Sequence, residues 1–406
     1  MKTLVLLFLM IIVGAGLAYY SSETPRPSWA QLIQDFPMNK PALDPASGKD
    51  IKDGLNKKFY PSGSVESEVT YQYGMKNGPF RIFYEKDQVL KMEGNYKNDL
   101  IDGELKEYYT NKQLQSLVTY ENGEANGDYK YYDHQGPLLG SGTYAGGKKD
   151  GVFREYYASG TIKKEVLFNK NVINGVVREF YENGQVKSEE PYTKGQLHGI
   201  VKEYYDNGVI KAFKGYQEGK PHGVEKLYDE KGHVIALWHY ENGLREGLGR
   251  EFYSDGTWKT TMKYNKGQLE GVLKEYYPSG ILKKKAFYIN GQRNEWVETY
   301  SEDGSISAQA HYKYDLIDGD VKLFFPKTGQ VRLETIFKDD ILNGLSREYY
   351  ENGVIKRETT YVNNIKEGPE VEYYPDGTKS VERVYQEDKV VQIRRYNQKG
   401  ELVFEQ

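Results

Sequence analysis

Two histidines occupy equivalent places in the chain and could form a metal pair. His198 and His222 are 24 residues apart, and each directly precedes a glycine. Elsewhere the residue before the equivalent glycine is acidic or carries an amide, as at Asp102, Asn126 and Asp150. On neighbouring hairpins such residues would lie two strand spacings apart, about 9.5 Å, whereas one zinc ion needs ligands at about 2.1 Å. We therefore interpret the position as part of a turn and predict no metal site.

A glycine-rich stretch at residues 140–148 superficially resembles a phosphate-binding loop, with the sequence Gly-Ser-Gly-Thr-Tyr-Ala-Gly-Gly-Lys. Tyr144 and Gly147, however, stand at positions that recur along the chain, and no helical pattern follows to direct backbone N–H groups at a phosphate. Strand spacing likewise disfavours calcium sites and catalytic carboxylate pairs among the acidic turn residues. The sequence thus predicts no catalytic residue and no cofactor.

Three of the four tryptophans, Trp238, Trp258 and Trp296, lie close together in the sequence. In the same region Glu295 replaces a glycine that recurs elsewhere. Tryptophan is enriched in binding hot spots, so these three residues are the candidate partner-binding residues. The alternative is that they substitute for recurring residues inside a packed face. Simple alternation of side chains would put all three on one face of a sheet.

The elements that would position these residues come from one repeated phrase, which begins with a glycine and recurs every 24 residues, with two steps of 25. We call this glycine the anchor and number columns from it, so that column 5 is the fifth residue after the anchor. Thirteen anchors are glycine, and Glu295 stands where a fourteenth is due. The anchors are Gly54, Gly78, Gly103, Gly127, Gly151, Gly175, Gly199, Gly223, Gly247, Gly271, Gly319, Gly344 and Gly368.

Two columns hold an aromatic residue in every copy: column 5, as at Tyr156, and a second, typically column 17, as at Phe168. Three residues after the second aromatic comes Gly, Asn or Asp, as at Gly123, Asn171 and Asp340. These residue types tolerate a left-handed backbone. Each copy therefore predicts two strands and two tight turns.

The turn between the two strands decides which columns share a face. In the copy that begins at Gly151, a two-residue turn would pair Tyr157 with Ile162. A three-residue turn with a left-handed glycine would instead pair Tyr156 with Ile162. The second turn is favoured because copies such as residues 61–63 (Pro-Ser-Gly) place proline where a type I turn prefers it. Both invariant aromatic columns, the aliphatic columns 1 and 11 and the basic column 3 would then share one face.

Column 3 is Lys or Arg in twelve of the fourteen copies, including Lys57, Arg154, Lys202, Arg250 and Arg347. One interpretation is that the long stems pack between aromatic rings, with cation–π contacts, while the charges reach water. The functional alternative is a row of contacts to anions or lipid head groups. The neighbouring glutamate column cancels much of the positive field, which favours the first interpretation.

The predicted fold is all-β: an elongated antiparallel β-hairpin repeat array of about 14 repeats in a single sheet. Roughly 28 strands at the standard spacing would extend about 130 Å if flat, so the sheet must twist or coil. Because each unit buries surface only on its neighbours, we count one repeat domain over residues 51–406. Acidic and basic residues nearly balance, with a net charge of −4, which excludes an electrostatic footprint for nucleic acid.

The amino-terminal residues differ in composition from the repeats. Residues 1–18 contain a basic residue and an apolar run that ends in small residues, which predicts a cleaved signal peptide or, alternatively, an uncleaved membrane anchor. Residues 19–50 are rich in proline and predict a spacer whose later part caps the first sheet edge. Either interpretation predicts export to the periplasm, cell envelope or medium. The absence of cysteine excludes disulfides, so stability must come from length.

The phrase Tyr-x-x-Gly-x-x-x-Gly, at residues 120–127, 192–199 and 240–247, resembles the centre of a MORN repeat. The whole unit, with Glu-Tyr-Tyr-x-x-Gly, is more similar to the variant MORN repeats of bacterial YwqK-type antitoxins. The resemblance covers residues 51 to about 400 and departs from ordinary units in its 24-residue period and in lacking the second glycine two residues after the anchor. It implies antiparallel hairpin arrays that contact proteins or membranes without catalysis.

These observations favour a non-enzymatic, exported scaffold that binds a protein partner through a tyrosine-rich β surface. A glycan or cell-wall binder is the first alternative, because rows of tyrosine can stack on sugar rings. A membrane-associated structural or antitoxin-like protein is the second. Regularly placed tryptophan, on which wall-binding repeats depend, is nearly absent from the columns.

Overall fold

The computed structural model describes residues 53–406, which form a 37-stranded antiparallel sheet with no helix in that range. The predicted all-β hairpin-repeat fold is confirmed. The predicted signal or anchor at residues 1–18 and the spacer at 19–50 lie outside the described residues. The chain divides into two compact units at residues 196 and 197.

Most copies in the first unit contribute two long strands, often followed by a two-residue strand. These strands are β1 (Gly54–Phe59), β2 (Val65–Gln72), β3 (Met75–Phe83), β4 (Leu90–Lys97), β5 (Leu100–Ile101), β6 (Gly103–Tyr108), β7 (Leu114–Glu121), β8 (Glu124–Tyr132), β9 (Leu138–Ala145), β10 (Lys148–Lys149), β11 (Gly151–Tyr156), β12 (Ile162–Asn169), β13 (Val172–Ile173), β14 (Gly175–Phe180) and β15 (Val186–Thr193).

The second unit repeats this pattern, and β16 (Gln196–Leu197) stands at the division. Its strands are β17 (Gly199–Tyr204), β18 (Ile210–Gln217), β19 (Lys220–Tyr228), β20 (Val234–Glu241), β21 (Leu244–Arg245), β22 (Gly247–Phe252), β23 (Trp258–Asn265), β24 (Gln268–Leu269), β25 (Gly271–Tyr276), β26 (Leu282–Ile289), β27 (Gln292–Tyr300), β28 (Ile306–Lys313), β29 (Leu316–Phe324), β30 (Val331–Lys338), β31 (Ile341–Leu342), β32 (Gly344–Tyr349), β33 (Ile355–Val362), β34 (Ile365–Tyr373), β35 (Lys379–Gln386), β36 (Lys389–Tyr396) and β37 (Leu402–Glu405).

The turn within most hairpins is the predicted three-residue turn. In the two 25-residue copies it has four residues, since the N–H of Tyr84 donates to the carbonyl of Val89 and that of Phe325 donates to the carbonyl of Gln330. Between β11 and β12, the N–H of Tyr157 donates to the carbonyl of Thr161 at 2.8 Å, and Gly160 has φ 86°. Tyr156 pairs with Ile162, as the proline-containing copies predict. A type I turn closed by a left-handed glycine accounts for this geometry.

A bulge directly after this turn changes which columns share a face. Tyr156 pairs with Ile162 but Glu155 pairs with Lys164, so Lys163 is an extra residue. The same shift recurs in other hairpins, such as β25–β26. Because one extra residue moves the rest of a strand to the opposite face, Phe168 shares a face with Phe153. The prediction that both invariant aromatic columns share one face is therefore wrong.

Two faces follow from the observed register. We call inner the face that carries columns 2, 4, 13, 15, 17 and 22, and outer the face that carries columns 1, 3, 5, 11, 14, 16, 18 and 21. Buried hydrophobic residues are concentrated on the inner face. In the first unit they include Phe80, Leu105 and Val177, and in the second Trp238, Val297, Ala308, Tyr312 and Val321.

The turn that links successive copies is a two-residue turn with positive φ at both positions. Between β12 and β13, Lys170 has φ 48° and Asn171 has φ 71°, as type I′ turns require. The N–H of Asn171 donates to the carbonyl of Lys149 at 2.8 Å, and its Oδ1 accepts from the N–H of Lys149 at 2.7 Å. The predicted left-handed turn residue is confirmed, and it also bonds each turn to the preceding one.

Candidate interaction surface

The outer face carries exposed aliphatic side chains near the type I′ turns. They occupy columns 1, 16, 18 and 21, and together with Trp296 we call them the outer apolar band. Leu248, in column 1, is 55% exposed. The members in the second unit are Ile200, Leu244, Leu248, Val272, Ile289, Trp296, Leu316, Ile336, Ile341, Val362 and Ile365. Those in the first unit are Leu55, Met75, Leu100, Val152, Leu167, Val172 and Val176.

Members of the band in column 21 rest against the turn of the next copy, whereas other copies carry polar residues such as Glu124 and Gln268 at this column. A Cβ on Gly267 would lie 3.5 Å from Cδ2 of Leu244, and one on Gly123 would lie 3.2 Å from Cδ2 of Leu100. Exposed apolar patches on a folded protein mark interaction surfaces more often than isolated apolar residues do.

The basic column 3 lies on the outer face, where Arg154 and Arg347 pair with carboxylates, whereas Nζ of Lys226 lies 5.6 Å from the ring centroid of Phe213. Nε of Arg154 lies 2.7 Å from Glu165, and Nε of Arg347 lies 2.8 Å from Glu358, both in column 14 across the hairpin. The predicted packing of this column between aromatic rings is therefore wrong for these residues. Their charges are neutralised by their partners, so these pairs do not form a row of free cations.

On the inner face, column 22 supplies cation–π contacts. The guanidinium of Arg245 lies 4.1 Å from the ring centroid of Trp238, and that of Arg293 lies 4.3 Å from the ring of Tyr312. In the first unit, Nζ of Lys149 lies 5.2 Å from the ring of Phe168, and burial lowers the pKa of Lys149. These cations cover the second aromatic column.

The three tryptophans do not share a face. Trp238 is 5% exposed on the inner face, where a Cβ built on Gly249 would approach its ring to 2.5 Å. Gly249 thus makes room for the indole. Trp258 is 51% exposed beside Tyr276, and Trp296 is 38% exposed beside His311, both on the outer face. The prediction that all three tryptophans share one face is therefore wrong for Trp238, which takes the place of a recurring residue inside the packed inner face. A binding role stays a prediction for Trp258 and Trp296.

The other sequence candidates lie in turns and strands. His198 and His222 are exposed, and residues 53–406 contain no group of three His, Cys, Asp or Glu that could hold a metal ion. Residues before the anchor accept backbone hydrogen bonds from the next type I′ turn: Oε2 of Glu246 accepts from the N–H of Lys266 at 2.7 Å. In the glycine-rich stretch, Gly142 provides space for the Phe153 ring within a strand.

A family profile described as MORN repeat variant matches eight segments of the sequence: residues 52–73, 101–122, 149–170, 173–194, 197–212, 221–242, 269–290 and 342–363. The chain belongs to the MORN-repeat proteins. The match does not distinguish a YwqK-type subgroup. A search of curated proteins found no match.

Two solved structures illustrate what else this MORN-repeat chain is similar to. The Photorhabdus luminescens Tc holotoxin pore is 13% identical, with 84% of this chain and 18% of that chain covered and a TM-score of 0.17. The TcdB2-TccC3 crystal structure is 12% identical, with 86% and 19% covered and a TM-score of 0.15. The chain spans about a fifth of the length of these chains. Residues 53–406 hold no helix long and apolar enough for a membrane crossing.

A ladder of tyrosine hydroxyls connects successive MORN repeats, and the sequence patterns above did not predict it. Column 6 is tyrosine in ten of the fourteen copies. Its hydroxyl donates to the column 5 carbonyl of the next repeat at 2.8–3.0 Å. The donors are Tyr60, Tyr84, Tyr109, Tyr157, Tyr205, Tyr253, Tyr277, Tyr350 and Tyr374. The hydroxyls of these nine tyrosines are thus committed to bonds within the fold.

The ladder is interrupted at Asp229, which stands in column 6 between Tyr205 and Tyr253. The Asp229 carboxylate accepts N–H bonds from Lys231 at 3.0 Å and from His233 at 2.9 Å. Partial desolvation raises the pKa of Asp229, but the hydrogen bonds from His233 and Lys231 outweigh it and hold the pKa below its ordinary value. A carboxylate is too short to take the place of a tyrosine ring.

An open cavity of about 610 Å³ occurs at this interruption. Its walls include Tyr205, Asp229, Glu230, His233, Ile235 and Asp255. Burial, followed by the negative charges of Glu230 and Asp229, raises the pKa of Tyr205. The cavity therefore combines apolar walls with an acidic rim.

Proposed function

We propose that this MORN-repeat chain is a non-enzymatic scaffold that binds a protein partner along its outer apolar band. The observation that carries the proposal is the recurrence of exposed aliphatic side chains at the same columns in both units. The band gives a partner apolar contacts that recur at equivalent columns, with polar residues such as Glu124 and Gln268 between them. A partner with an apolar face of similar length would bury these side chains, each contributing on the order of 1 kcal/mol.

The tyrosine columns are less suited than the aliphatic band to the partner contact that the sequence analysis predicted. Column 6 hydroxyls are bonded to backbone carbonyls, and the column 17 rings lie on the inner face. Of the tyrosine columns, column 5 lies on the outer face. Its tyrosine Tyr108 is partly buried there and bonded to Glu93, and burial, followed by this hydrogen bond, raises the pKa of Tyr108 to about 12. We therefore assign partner contact to the aliphatic band, with Trp296 as its one aromatic member.

Export is a further part of this proposal. It is supported by the apolar run in residues 1–18 of the sequence. A tagged chain should accumulate outside the cytoplasm in a fractionation experiment, and removal of residues 1–18 should retain it in the cytoplasm. Equal distribution of the two forms would contradict export.

The experiment that tests the proposal compares two charge-matched double variants of the full chain. Leu244→Glu with Leu248→Glu places two charges in the band. Ser279→Glu with Lys327→Gln makes the same change in net charge at exposed loop residues on the opposite edge. Both variants should keep the far-ultraviolet circular dichroism spectrum and the thermal midpoint of the parent, because all four residues are exposed.

Each immobilised variant is then crosslinked in an extract of native envelopes, and captured proteins are quantified by mass spectrometry. A specific partner should be captured by the parent and the loop variant but depleted at least about tenfold with the band variant, since two buried charges would oppose binding. Equal capture by both variants, or turnover of a substrate by the parent, would contradict the proposal.

A further inference from the structure

The column 6 ladder shows what is missing at the Asp229 cavity. Tyr205 reaches the carbonyl of Tyr228, and Tyr253 reaches that of Tyr276. A tyrosine at position 229 would extend from the turn of its own hairpin toward the carbonyl of Phe252, which is the equivalent acceptor. Asp229, in that turn, and Asp255, in the turn of the next hairpin, both line the cavity, so the cavity lies between these two turns. Its position therefore matches that of the absent ring.

We propose that this cavity binds a tyrosine side chain from a protein partner, in a segment that also carries lysine or arginine. The site is separate from the outer apolar band and does not depend on it. Tyr205 and Ile235 supply apolar walls for a ring. By analogy with the column 5 acceptors of the neighbouring repeats, the carbonyl of Phe252 would accept the hydrogen bond from the phenol hydroxyl.

The charge of the rim defines the flanking chemistry of the ligand. Asp229, Glu230 and Asp255 contribute three carboxylates, against one ammonium from Lys231. The Nδ1 atom of His233 lies 3.0 Å from Oδ2 of Asp229, so this imidazole is engaged by the carboxylate. Cationic residues beside the incoming tyrosine would be attracted to this rim, and acidic ones would be repelled.

The test uses three peptides with the sequence acetyl-Lys-Gly-X-Gly-Lys-amide, where X is Tyr, Phe or Ala. Binding to the full chain is measured by chemical-shift perturbation at peptide concentrations up to several millimolar. The tyrosine peptide should bind about fivefold more tightly than the phenylalanine peptide, because only the former donates a hydrogen bond. The alanine peptide should not bind measurably.

Two ladder repairs provide the matched pair of variants. Asp229→Tyr fills the cavity with the chain's own ring, whereas Ser301→Tyr restores column 6 in another repeat and leaves the cavity open. Asp229→Tyr should weaken the tyrosine peptide at least about tenfold, and Ser301→Tyr should leave it unchanged. Glu230→Arg, at an exposed turn residue, should weaken binding severalfold through repulsion even if Asp229→Tyr does not fold.

Several results would overturn the proposal. These are equal affinity of the tyrosine and phenylalanine peptides, undiminished binding to Asp229→Tyr and Glu230→Arg, or no binding of the tyrosine peptide over the full concentration range. A concentration-dependent self-association that Asp229→Tyr abolishes, without peptide binding, would replace the partner with a second copy of the chain and also reject the proposal.

Discussion

Glu295 occupies an anchor position in the conformation that its glycine counterparts adopt. Its φ is 60°, whereas Gly271 has φ 80° and Gly319 has φ 122°. Residues with a Cβ are strained in this region. The replacement shows that the register of the repeat, and not the local residue, dictates the backbone at this position.

Glu295→Gly should therefore raise the free energy of unfolding by about 1 kcal/mol, after the extra freedom of glycine in the unfolded chain is subtracted. Chemical denaturation of the full chain measures the change. Glu302→Gly, in an exposed loop and without positive φ, should be neutral or destabilising. A loss of stability with Glu295→Gly would show that the glutamate side chain contributes more than the strain costs.

Glu370 is a buried carboxylate, 2% exposed, on the inner face. It accepts hydrogen bonds from Lys366, from Thr359 at 3.0 Å and from Arg383 at 2.9 Å. Desolvation raises the pKa of Glu370, but the hydrogen bond and positive charge of Lys366 outweigh it, so the pKa is lowered overall. The charged form is thus favoured in the folded state.

A lowered folded pKa means that this contribution is fully present above the ordinary glutamate pKa, about 4.3, and is lost as the pH falls through the folded value. Glu370→Gln should destabilise the chain by about 3 kcal/mol at pH 7, because it leaves Lys366 without its carboxylate and Arg383 with Glu372 alone. The difference in unfolding free energy between parent and variant should shrink as the pH falls below about 4.3. A difference independent of pH would assign the effect to packing.

The tyrosine ladder connects neighbouring hairpins at the three-residue turns. Tyr277→Phe removes the 2.8 Å hydrogen bond to the carbonyl of Tyr300 and keeps the ring. We expect a loss of about 1 kcal/mol in unfolding free energy. Tyr314→Phe is the control, because Tyr314 is 61% exposed in a type I′ turn. If Tyr277→Phe and Tyr314→Phe changed the unfolding free energy equally, the ladder hydrogen bonds would not contribute to stability.

The sequence predicted the strands and both turns because specific residue types encode them. Proline and glycine in residues 61–63 determine the first turn, and Asn171 marks the second. The bulge after the first turn was not predictable, because the extra residue differs between copies. It is Lys163 in one copy, Ile235 in another and Lys259 in a third. No residue type is required there, and that single position decided the face of every later side chain.

Parts of the candidate sites had signals that could have been found. Aspartate at positions 133 and 229 breaks a column that is otherwise mostly tyrosine, which indicates a gap once the ladder is recognised. The outer band was partly visible as the aliphatic column 1. Its exposure was not, because column 1 and column 2 are both apolar in many copies and only the register separates them.

The whole molecule should behave as a repeat array from which one complete repeat can be removed without unfolding the rest. Deleting residues 247–270 removes one full period, so Gly271 takes the place of Gly247 and all columns stay aligned. The shortened chain should fold, with a thermal midpoint within a few degrees of the parent. Deleting residues 247–258 removes half a period and should unfold the region. Thermal unfolding by circular dichroism compares the two, and equal behaviour would contradict the array.

Hydroxyl-radical footprinting of the free chain and of the captured complex tests the outer face most directly. In the free chain, Leu244 and Leu248 should be oxidised readily, while the inner Val297 and Val321 should be protected. In the complex, oxidation of Leu244 and Leu248 should fall severalfold, with the inner residues unchanged. Undiminished oxidation of the band in a complex that protects another surface would contradict the central claim.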